Sequence, residues 1–528
     1  MNNTPRRLLG RKQIFTNAEI INRGNVVQVL NDALHIHTSN RADMEYLYNY
    51  RRGDQPILYR KKEIRSGICN HIVVNRANEI VTFKVANFIG EPLQYVSRGA
   101  NSATPGKIEK LNSMMMSEGK SSKDMSLADW MFTTGVGYRL VLNDKADSDE
   151  LYDEAPFEIY TLDPRNTFVV RRNDVTRKPI MAVNYVYLSD AELVETGKIL
   201  YTVYTQNQVF RIEGSINSAG AIKKVETHNF GMIPIIEYPC NALRMGSFEV
   251  VIGLLDALNL IESNRVDGVE QFIQALMVFK NVEVTLEQVT QLQEQGAISL
   301  PPNSSGHDSD LYYLCEQLDQ SQTQILADAL YQEVLQIVGM PSQGNANTAD
   351  SSNNGAVIMK NGWWNAEACA KETEGMWRES ENEFLKVVLK ICHEANVLDL
   401  KVSDIEQKFL RRSYEDKLTK VQSFTSLIAA GAPPIQAFTI SGVVVDPESA
   451  ATVYEEYQDK QDEKLNQQLS DELNKQTAVN NSGGQSNENG RASRDDGAVQ
   501  SSGRGDSASE SEGDTPVSDG TNQGKKRR

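Results

Sequence analysis

Apolar residues between Gly246 and Phe279 recur at Val251, Leu254, Leu255, Leu258, Ile261, Val266, Val269, Ile273 and Leu276, the three-and-four spacing of one helix face. Asp256, Asn259, Glu262, Arg265, Asp267, Glu270 and Gln274 fall between them, so the opposite face is polar and mixed in charge. Ser247 is the expected N-cap, behind Pro239 and Gly246. A helix of that extent is roughly 45–50 Å long, with Gly253 and Gly268 as points of bending. One apolar stripe on so long a helix needs a cover, from its own chain or from copies of itself.

The same period returns twice. From Asp319 to Val338 the stripe is Leu318, Ile325, Leu326, Ala329, Leu330, Val334, Ile337 and Val338, ended by Gly339-Met340-Pro341. From Ala356 to Ala395 it is Val357, Ile358, Trp364, Ala368, Met376, Phe384, Val387, Val388 and Ile391. A helix is also predicted from Asn25 onward, with Val26, Val29, Leu30, Ala33 and Leu34 on one face. Between Glu154 and Tyr238 the pattern changes to short β-branched or aromatic runs. These are Phe157–Tyr160, Thr167–Val170, Met181–Tyr187, Leu200–Tyr204 and Val209–Ile212. Further strand-like pieces, Val282-Glu283-Val284, Ala297–Leu300 and Leu311–Leu314, flank the turn Pro301-Pro302-Asn303. From Ser403 to about Tyr457 short helices alternate with turns, starting with Asp404–Phe409 and Tyr414–Ala430. The fold class expected is α+β, predominantly α.

A length of 528 residues sets a prior of two to four domains, and 40% hydrophobic residues suffice for a sizeable core. The formal charge of −17 argues against gripping nucleic acid by phosphate neutralisation. It leaves room for a protein that lets DNA pass without sticking. No apolar run approaches a membrane span, and MNNTPRRLLGRKQ lacks the apolar core of a signal peptide. Cys69, Cys240, Cys315, Cys369 and Cys392 are odd in number and far apart, as free thiols in a reducing cytoplasm would be. Beyond about Gln476 the chain loses its hydrophobic residues and is expected to be disordered.

Enzymatic motifs fail one by one. Gly119-Lys120-Ser121 resembles the end of a phosphate-binding loop, but the earlier glycine that motif requires is Met114. His393-Glu394 has no second histidine at the metalloprotease spacing, and there is no CxxC, GxSxG or GxGxxG. His35 and His37 stand two apart, too close to share a helix face as a metal pair. Neither an enzyme nor a cofactor is expected.

Four pieces carry a family likeness. The first is Tyr48-Asn49-Tyr50-Arg51-Arg52-Gly53-Asp54-Gln55-Pro56-Ile57-Leu58-Tyr59-Arg60. An asparagine-rich step, Asn70-His71-Ile72-Val73-Val74-Asn75, comes next, then Ala77–Val81 and Phe88-Ile89-Gly90-Glu91-Pro92-Leu93. Leu162-Asp163-Pro164-Arg165-Asn166-Thr167-Phe168-Val169-Val170 is the third. Gly231-Met232-Ile233-Pro234-Ile235-Ile236-Glu237-Tyr238-Pro239, the fourth, leads straight into the long helix. In order and spacing these pieces resemble bacteriophage portal proteins of the SPP1 type, over roughly residues 25–460.

That resemblance implies a subunit of a dodecameric ring at one capsid vertex, the channel for double-stranded DNA. It implies a β-containing wing at 1–245 and a stem of two helices at 246–279 and 319–339, joined by a small α/β clip at 280–318. A tunnel loop at 340–355, a long wing helix at 356–398, a helical crown at 399–475 and a tail at 476–528 complete it. The loop would touch DNA through Gly344, Asn345, Asn347, Ser351, Ser352, Asn353 and Asn354, with Lys360 just beyond. By composition alone the loop is an exposed linker, and Lys360 is as well read as a solvated lysine. Glu262, Asp267 and Glu270 are candidates for the stem's channel face, where carboxylates would let phosphate slide. Gln291, Gln293, Glu294, Gln295, Pro301 and Pro302 are candidates for docking at the clip. The implied partners are further copies of the chain, a terminase that hydrolyses ATP, major capsid and scaffolding proteins, and a head–tail adaptor, with no membrane and no metal. Two rivals stand beside this reading: a helical scaffold or adaptor without a channel, and a nucleic-acid enzyme with a scattered carboxylate site.

Overall fold

Alternating apolar residues between Thr167 and Thr227 bury one face of the largest sheet, and the first long helix covers it. In chain order, β1 (Ile14–Thr16) precedes α1 (Val26–Arg52), which Gly53 closes in the left-handed region at φ 102°. Next come α2 (Arg76–Ile89), β2 (Gln94–Ser97), α3 (Thr104–Ser117) and α4 (Lys120–Thr134). β3 (Val136–Asn143), β4 (Phe157–Leu162), β5 (Thr167–Arg172), β6 (Pro179–Ser189) and β7 (Glu195–Tyr204) follow. β8 (Gln208–Ser215), β9 (Ser218–Thr227) and β10 (Ile235–Pro239) complete the strand-rich region. Then come α5 (Ile252–Ile273), β11 (Leu276–Lys280), β12 (Asp310–Leu314), α6 (Gln320–Val338) and α7 (Trp363–Glu394). β13 (Ile405–Lys408), α8 (Lys417–Ala429), α9 (Pro434–Ser441) and α10 (Pro447–Ser482) end the series. This is a computed structural model, and it describes residues 8–63, 66–98, 104–143, 155–189, 195–273, 276–280, 310–314, 320–342, 362–410, 417–444 and 446–482.

The chain divides into two units, Met1–Glu456 and Tyr457–Arg528. The described part of the second, residues 457–482, is the C-terminal stretch of α10. In the first unit the largest sheet has the order β1-β5-β6-β7-β8-β9, with β1 parallel to β5 and the other neighbours antiparallel. Val26, Val29, Leu30, Ala33 and Leu34 of α1, the face predicted from sequence, pack on Val170, Met181, Val183 and Tyr201 of this sheet. Farther along α1, Leu47 and Tyr50 enter the central core. There they meet Val251, Leu255 and Leu258, Val334 and Val338 of α6, and Trp377 and Phe384 of α7. The mixed α+β class expected from the sequence stands.

Four expectations need correction. The helix predicted over Gly246–Phe279 is α5, with 22 residues and about 33 Å, preceded by a 3-10 turn at Glu249–Val251. Its last apolar residues leave the helix because Leu276-Met277-Val278-Phe279 pairs antiparallel with Leu311-Tyr312-Tyr313-Leu314. A short apolar run suits either state, and here the pairing decides. Ser247 does not cap: its hydroxyl donates to the Phe132 carbonyl at 3.0 Å, while Glu249 accepts the Gly246 N–H at 2.8 Å. Finally, Asp404–Phe409 is not a helix: Asp404 closes a 3-10 turn at Val402–Asp404, and a strand follows. Ile405 and Gln407 point inward at alternate positions, and β13 pairs antiparallel with β2. α10 also continues to Ser482, past the expected boundary near Gln476, and residues 483–528 lie outside the described residues.

Charge is buried in balanced clusters. Lys120 lies 2.6 Å from Asp124 and 2.9 Å from Glu381, and Arg139 pairs with both carboxylates. Tyr95 and Tyr238 donate to Glu381 at 2.6 and 2.7 Å. Two cations and two carboxylates thus tie α4, β3 and α7 together, a geometry in which removing one partner leaves a buried charge uncompensated. Lys120, the one hint of a phosphate loop, is locked inside this cluster.

Two other buried groups contribute to the response to acid. His37 Nε2 sits 3.1 Å from the Arg165 carbonyl and 3.3 Å from the Tyr185 hydroxyl. Burial drives its pKa down to about 3, outweighing the bond to Arg165, which favours the proton. An unfolded histidine takes its proton near pH 6.5. Stability from the neutral ring is therefore complete above about pH 6.5 and declines as pH falls from there toward 3. For Glu237, burial alone would raise the carboxyl, but Arg244 and Arg171 outweigh it and bring it down to about 2. Its contribution is complete above about pH 4.5 and is lost as pH falls through 2. Thermal melting should thus show Tm starting to fall below about pH 6.5. His37→Gln should flatten the limb between about pH 6.5 and 5 and leave the more acidic one. Parallel curves for the two proteins would refute the assignment to His37.

Candidate functional site

The first two motif pieces converge on one side of α5. The Tyr50 hydroxyl donates to Asp256 at 2.9 Å, and the Asn259 amide donates to Gln55 at 2.5 Å. Gln55 in turn donates to the Tyr50 carbonyl at 3.0 Å and to Asn75 at 3.3 Å. Burial, with Asp256 beside it, pushes the Tyr50 hydroxyl up, and burial raises the Asp256 carboxyl too. Both stay protonated longer than they would in water.

Residues 70–74 then run along α5 as an extended strap, antiparallel to it. Val74 N–H donates to Asn259 Oδ1 at 2.9 Å, Ile72 N–H to Ser263 Oγ at 3.0 Å and Asn70 N–H to Asp267 Oδ1 at 2.7 Å. The match is metric. Two residues of extended chain advance about 6.6 Å, and four residues of helix advance about 6.0 Å. Alternate amides therefore meet successive side chains of one i, i+4 row. Asn259, Ser263 and Asp267 are all buried beneath the strap. The row of a helix does here what a neighbouring strand does in a sheet.

Asp267 is the knot. Besides the Asn70 N–H it accepts from Lys62 Nζ at 2.5 Å, Arg60 at 3.3 Å and the Asn70 amide at 2.9 Å. Burial would raise its carboxyl, but the hydrogen bonds from Lys62 and Asn70 outweigh this and hold it below the usual range. Arg60 also reaches Asn264 at 2.5 Å, and Asn70 reaches Glu270 at 3.0 Å.

Of the three sequence candidates on this helix, Asp267 is thus buried and engaged within the chain, so we read it as a clamp and not as a wall charge. Glu270 is half-buried on Asn70, and Glu262 is half-buried and paired with Arg265 at 3.0 Å. Gly344, Asn345, Asn347, Ser351, Ser352, Asn353, Asn354 and Lys360 lie outside the described residues, as do Gln291, Gln293, Glu294, Gln295, Pro301 and Pro302. Sequence reasoning missed Asn259, Ser263, Asn70, Gln55 and Lys62 as one site. The trace was present: polar residues four apart on a helix, and an extended Asn-rich piece without a sheet partner.

Two other sides of these helices lack a cover among the described residues. Val250, Gly253, Ala257 and Leu260 recur three and four apart along one side of the α5 segment, with Val250 58% and Leu260 43% exposed. On α6 the row is Leu326, Ala329, Glu333 and Ile337, with Leu326 51% and Ile337 55% exposed. Its opposite face, Ala327, Val334 and Val338, is buried.

The sequence profile of the family described as "Phage portal protein, SPP1 Gp6-like" matches residues 30–468. The chain belongs to that portal family. The family is structural rather than enzymatic. No curated protein matches the chain by sequence. Among solved structures, a chain titled "Neck of empty GTA particle computed with C6 symmetry" is similar at a TM-score of 0.39 and 11% identity, over 70% of this chain and 90% of that one. Among the described residues of this portal chain, no group of three or more His, Cys, Asp or Glu side chains could hold a metal. No described helix is long and apolar enough to cross a membrane.

Asp267→Ala removes the acceptor of the Asn70 N–H and side-chain amide and of two cations, a loss of about 2–4 kcal/mol. Trypsin should then cut after Arg60, Lys61 or Lys62 at least roughly tenfold faster, because cleavage tracks the population of the open strap. Glu262→Ala should leave the rate near wild type. Equal rates for all three proteins would mean that Asp267 does not hold the strap.

Proposed function

We propose that this chain is the subunit of a dodecameric portal ring at one capsid vertex, the channel through which viral double-stranded DNA is packaged and ejected. The observation that carries this reading is the pair of unlike apolar rows left open on the α5 segment and α6. A heterologous contact joins one surface to a different one, and it closes into a ring when the rotation allows. Val250, Gly253, Ala257 and Leu260 supply one surface, flat enough for close helix approach. Leu326, Ala329 and Ile337 supply the other. Exposed apolar rows on a chain of −17 call for a partner, and a second copy answers both at once.

In this reading the stretch after α6 is the tunnel loop. Gly344, Asn345, Asn347, Ser351, Ser352, Asn353 and Asn354 would brush the DNA, with Lys360 meeting phosphate. Glu262 and Glu270 remain candidates for the channel face, and Asp267 serves them by fixing the helix. The segment between β11 and β12, with Gln291, Gln293, Glu294, Gln295, Pro301 and Pro302, would dock the terminase and later the head–tail adaptor. Major capsid and scaffolding proteins would surround the ring, which would assemble in the host cytoplasm and end in the virion. The energy for DNA movement would come from the terminase.

Negative-stain imaging with mass photometry tests the ring. Wild type should give closed rings with a central hole. Leu326→Glu combined with Ile337→Glu should shift them to monomers, with Tm changed by less than about 2 °C because both side chains are largely in solvent. Deleting residues 344–354 should keep the rings and abolish DNA packaging. Irregular assemblies that tolerate the deletion would favour a plain scaffold, and metal-dependent DNA cleavage by the purified chain would favour the hidden enzyme.

A further inference from the structure

The turn between β5 and β6 carries charge opposite in sign to that of the chain. Residues 171–178 read Arg-Arg-Asn-Asp-Val-Thr-Arg-Lys, four cations to one carboxylate in a chain of net −17. Asp174 is occupied by the turn itself, accepting the Thr176 N–H at 2.9 Å and the Arg177 N–H at 3.0 Å. Val175 at the tip is fully exposed. Arg171 pairs with Glu237 at 2.8 Å, and Arg172 donates to the Glu19 carbonyl at 2.6 Å and lies 3.8 Å from Asp174. The other two cations have no carboxylate among the described residues. Arg177 lies over the Phe15 ring at 5.2 Å, and the Lys178 side chain makes neither a hydrogen bond nor an ion pair there.

Two clefts flank this turn and share Lys178, Pro179 and Gln206 as a common wall. One, of about 810 Å³, opens at the end of the six-stranded sheet, where the β7–β8 turn and the end of β9 meet the segment after β1. Its lining is rich in carboxamides, among them Asn22, Asn207 and Asn229, and sets Arg172 and Lys178 against one carboxylate, Glu19. The other, of about 580 Å³, lies between the turn and α7 and is lined in part by the apolar Val169, Ile233 and Met376. Arg177 reaches this second cleft. Facing it on α7 are Glu379 and Glu383, the latter paired with Lys386 at 2.6 Å.

We propose that the shared wall is a docking surface for an acidic polypeptide segment of a partner protein, laid in extended form across Lys178 and Pro179 from one cleft to the other. Charge selects the class, because two cations without carboxylates on an otherwise acidic chain favour a negative partner. The lining separates polypeptide from nucleic acid. No Phe, Tyr or Trp lines either cleft, so a single strand finds no ring to stack on. Duplex DNA is held by rows of phosphate contacts, for which two free cations are too few. A polypeptide also brings N–H donors. His228, which lines the first cleft, gives its Nε2 proton to the Thr205 carbonyl at 3.0 Å. Its Nδ1 is then a bare acceptor, without a partner among the described residues. Burial lowers the pKa of this ring and favours that neutral form. Alternate side chains of an extended segment point to opposite sides. Apolar ones can therefore meet Ile233 and Met376 while carboxylates meet Arg177 and Lys178. The inference concerns one chain and does not rest on the ring.

Fluorescence anisotropy on the full chain tests it, with a labelled octapeptide of alternating glutamate and leucine as the probe. Wild type should bind this peptide, and raising salt from about 50 to about 500 mM should weaken binding at least fivefold or so. Arg177→Glu combined with Lys178→Glu should weaken it at least about tenfold, and Lys178→Glu alone at least about threefold. Lys198→Glu combined with Lys223→Glu makes the same change of charge elsewhere on the sheet and should leave binding within about twofold of wild type. All four side chains are exposed, so every variant should melt with wild type. The octapeptide of alternating lysine and leucine should not bind, and oligothymidine should not compete. If wild type does not bind the acidic peptide, or if Arg177→Glu with Lys178→Glu binds it as wild type does, the proposal falls. Displacement of the peptide by oligothymidine would assign the surface to nucleic acid and overturn it equally.

Discussion

An extended segment with no strand beside it must still bond its backbone amides, and in this chain that obligation falls on the side chains of α5. Much of the molecule follows from it. The row Asn259, Ser263, Asp267 can serve the strap only if it faces away from the core, so the apolar residues Leu255 and Leu258 must face inward. The remaining side of the helix then carries small and apolar residues that neither the core nor the strap covers. A single helix thus presents three faces with three tasks. Turning it by one residue about its axis would break all of them together, because the faces are only about 100° apart.

The strap also gives α5 support beyond its apolar contacts. Val251, Leu255 and Leu258 are buried near its start, whereas Val266 and Val269 are substantially exposed. Over that outer half the hydrophobic effect contributes little, and the polar bonds to residues 60–74 take over. Such bonds are directional where apolar contacts are not. The helix is therefore held in azimuth as well as in place, as the proposed contact between copies requires.

How much of this was legible in the sequence depends on the period involved. The helix of α6, the covered face of α1 and the strand runs from Phe157 to Ile212 all appear where their spacing put them, although the α6 stripe is split, with Val334 and Val338 buried and Ile325, Leu326 and Ile337 exposed. The end of α5 was misplaced because Leu276 to Phe279 satisfies a helix period and a strand equally, and only its partner Leu311 to Leu314 distinguishes them. Asp404–Phe409 failed for the same reason, its partner β2 lying some three hundred residues earlier. Polarity on a helix reads as solvent exposure, which puts Asp267 among the channel-face candidates. The strap that covers it lies about two hundred residues upstream. The motif residues Tyr50, Gln55, Asn70 and Asn75 were recognisable as a pattern, yet their joint purpose required the helix they bind.

The chain's charge acquires its meaning from the same placement. Arg11 pairs with Glu249, Lys120 and Arg139 with Asp124 and Glu381, and Arg244 with Glu237, all of them buried. These clusters pair cations and carboxylates in nearly equal number, because an unbalanced charge in the interior is too costly to keep. Among the described residues the interior therefore absorbs almost none of the net −17. Copies of such a chain repel one another at long range, with an interaction that decays over about 8–10 Å in physiological salt. Contacts between them, as proposed, are favoured where the surfaces are neutral. The exposed rows on the α5 segment and α6 are of that kind: apart from Glu333 they carry no charge. Acidity elsewhere on the surface then opposes any contact that does not bring these rows together.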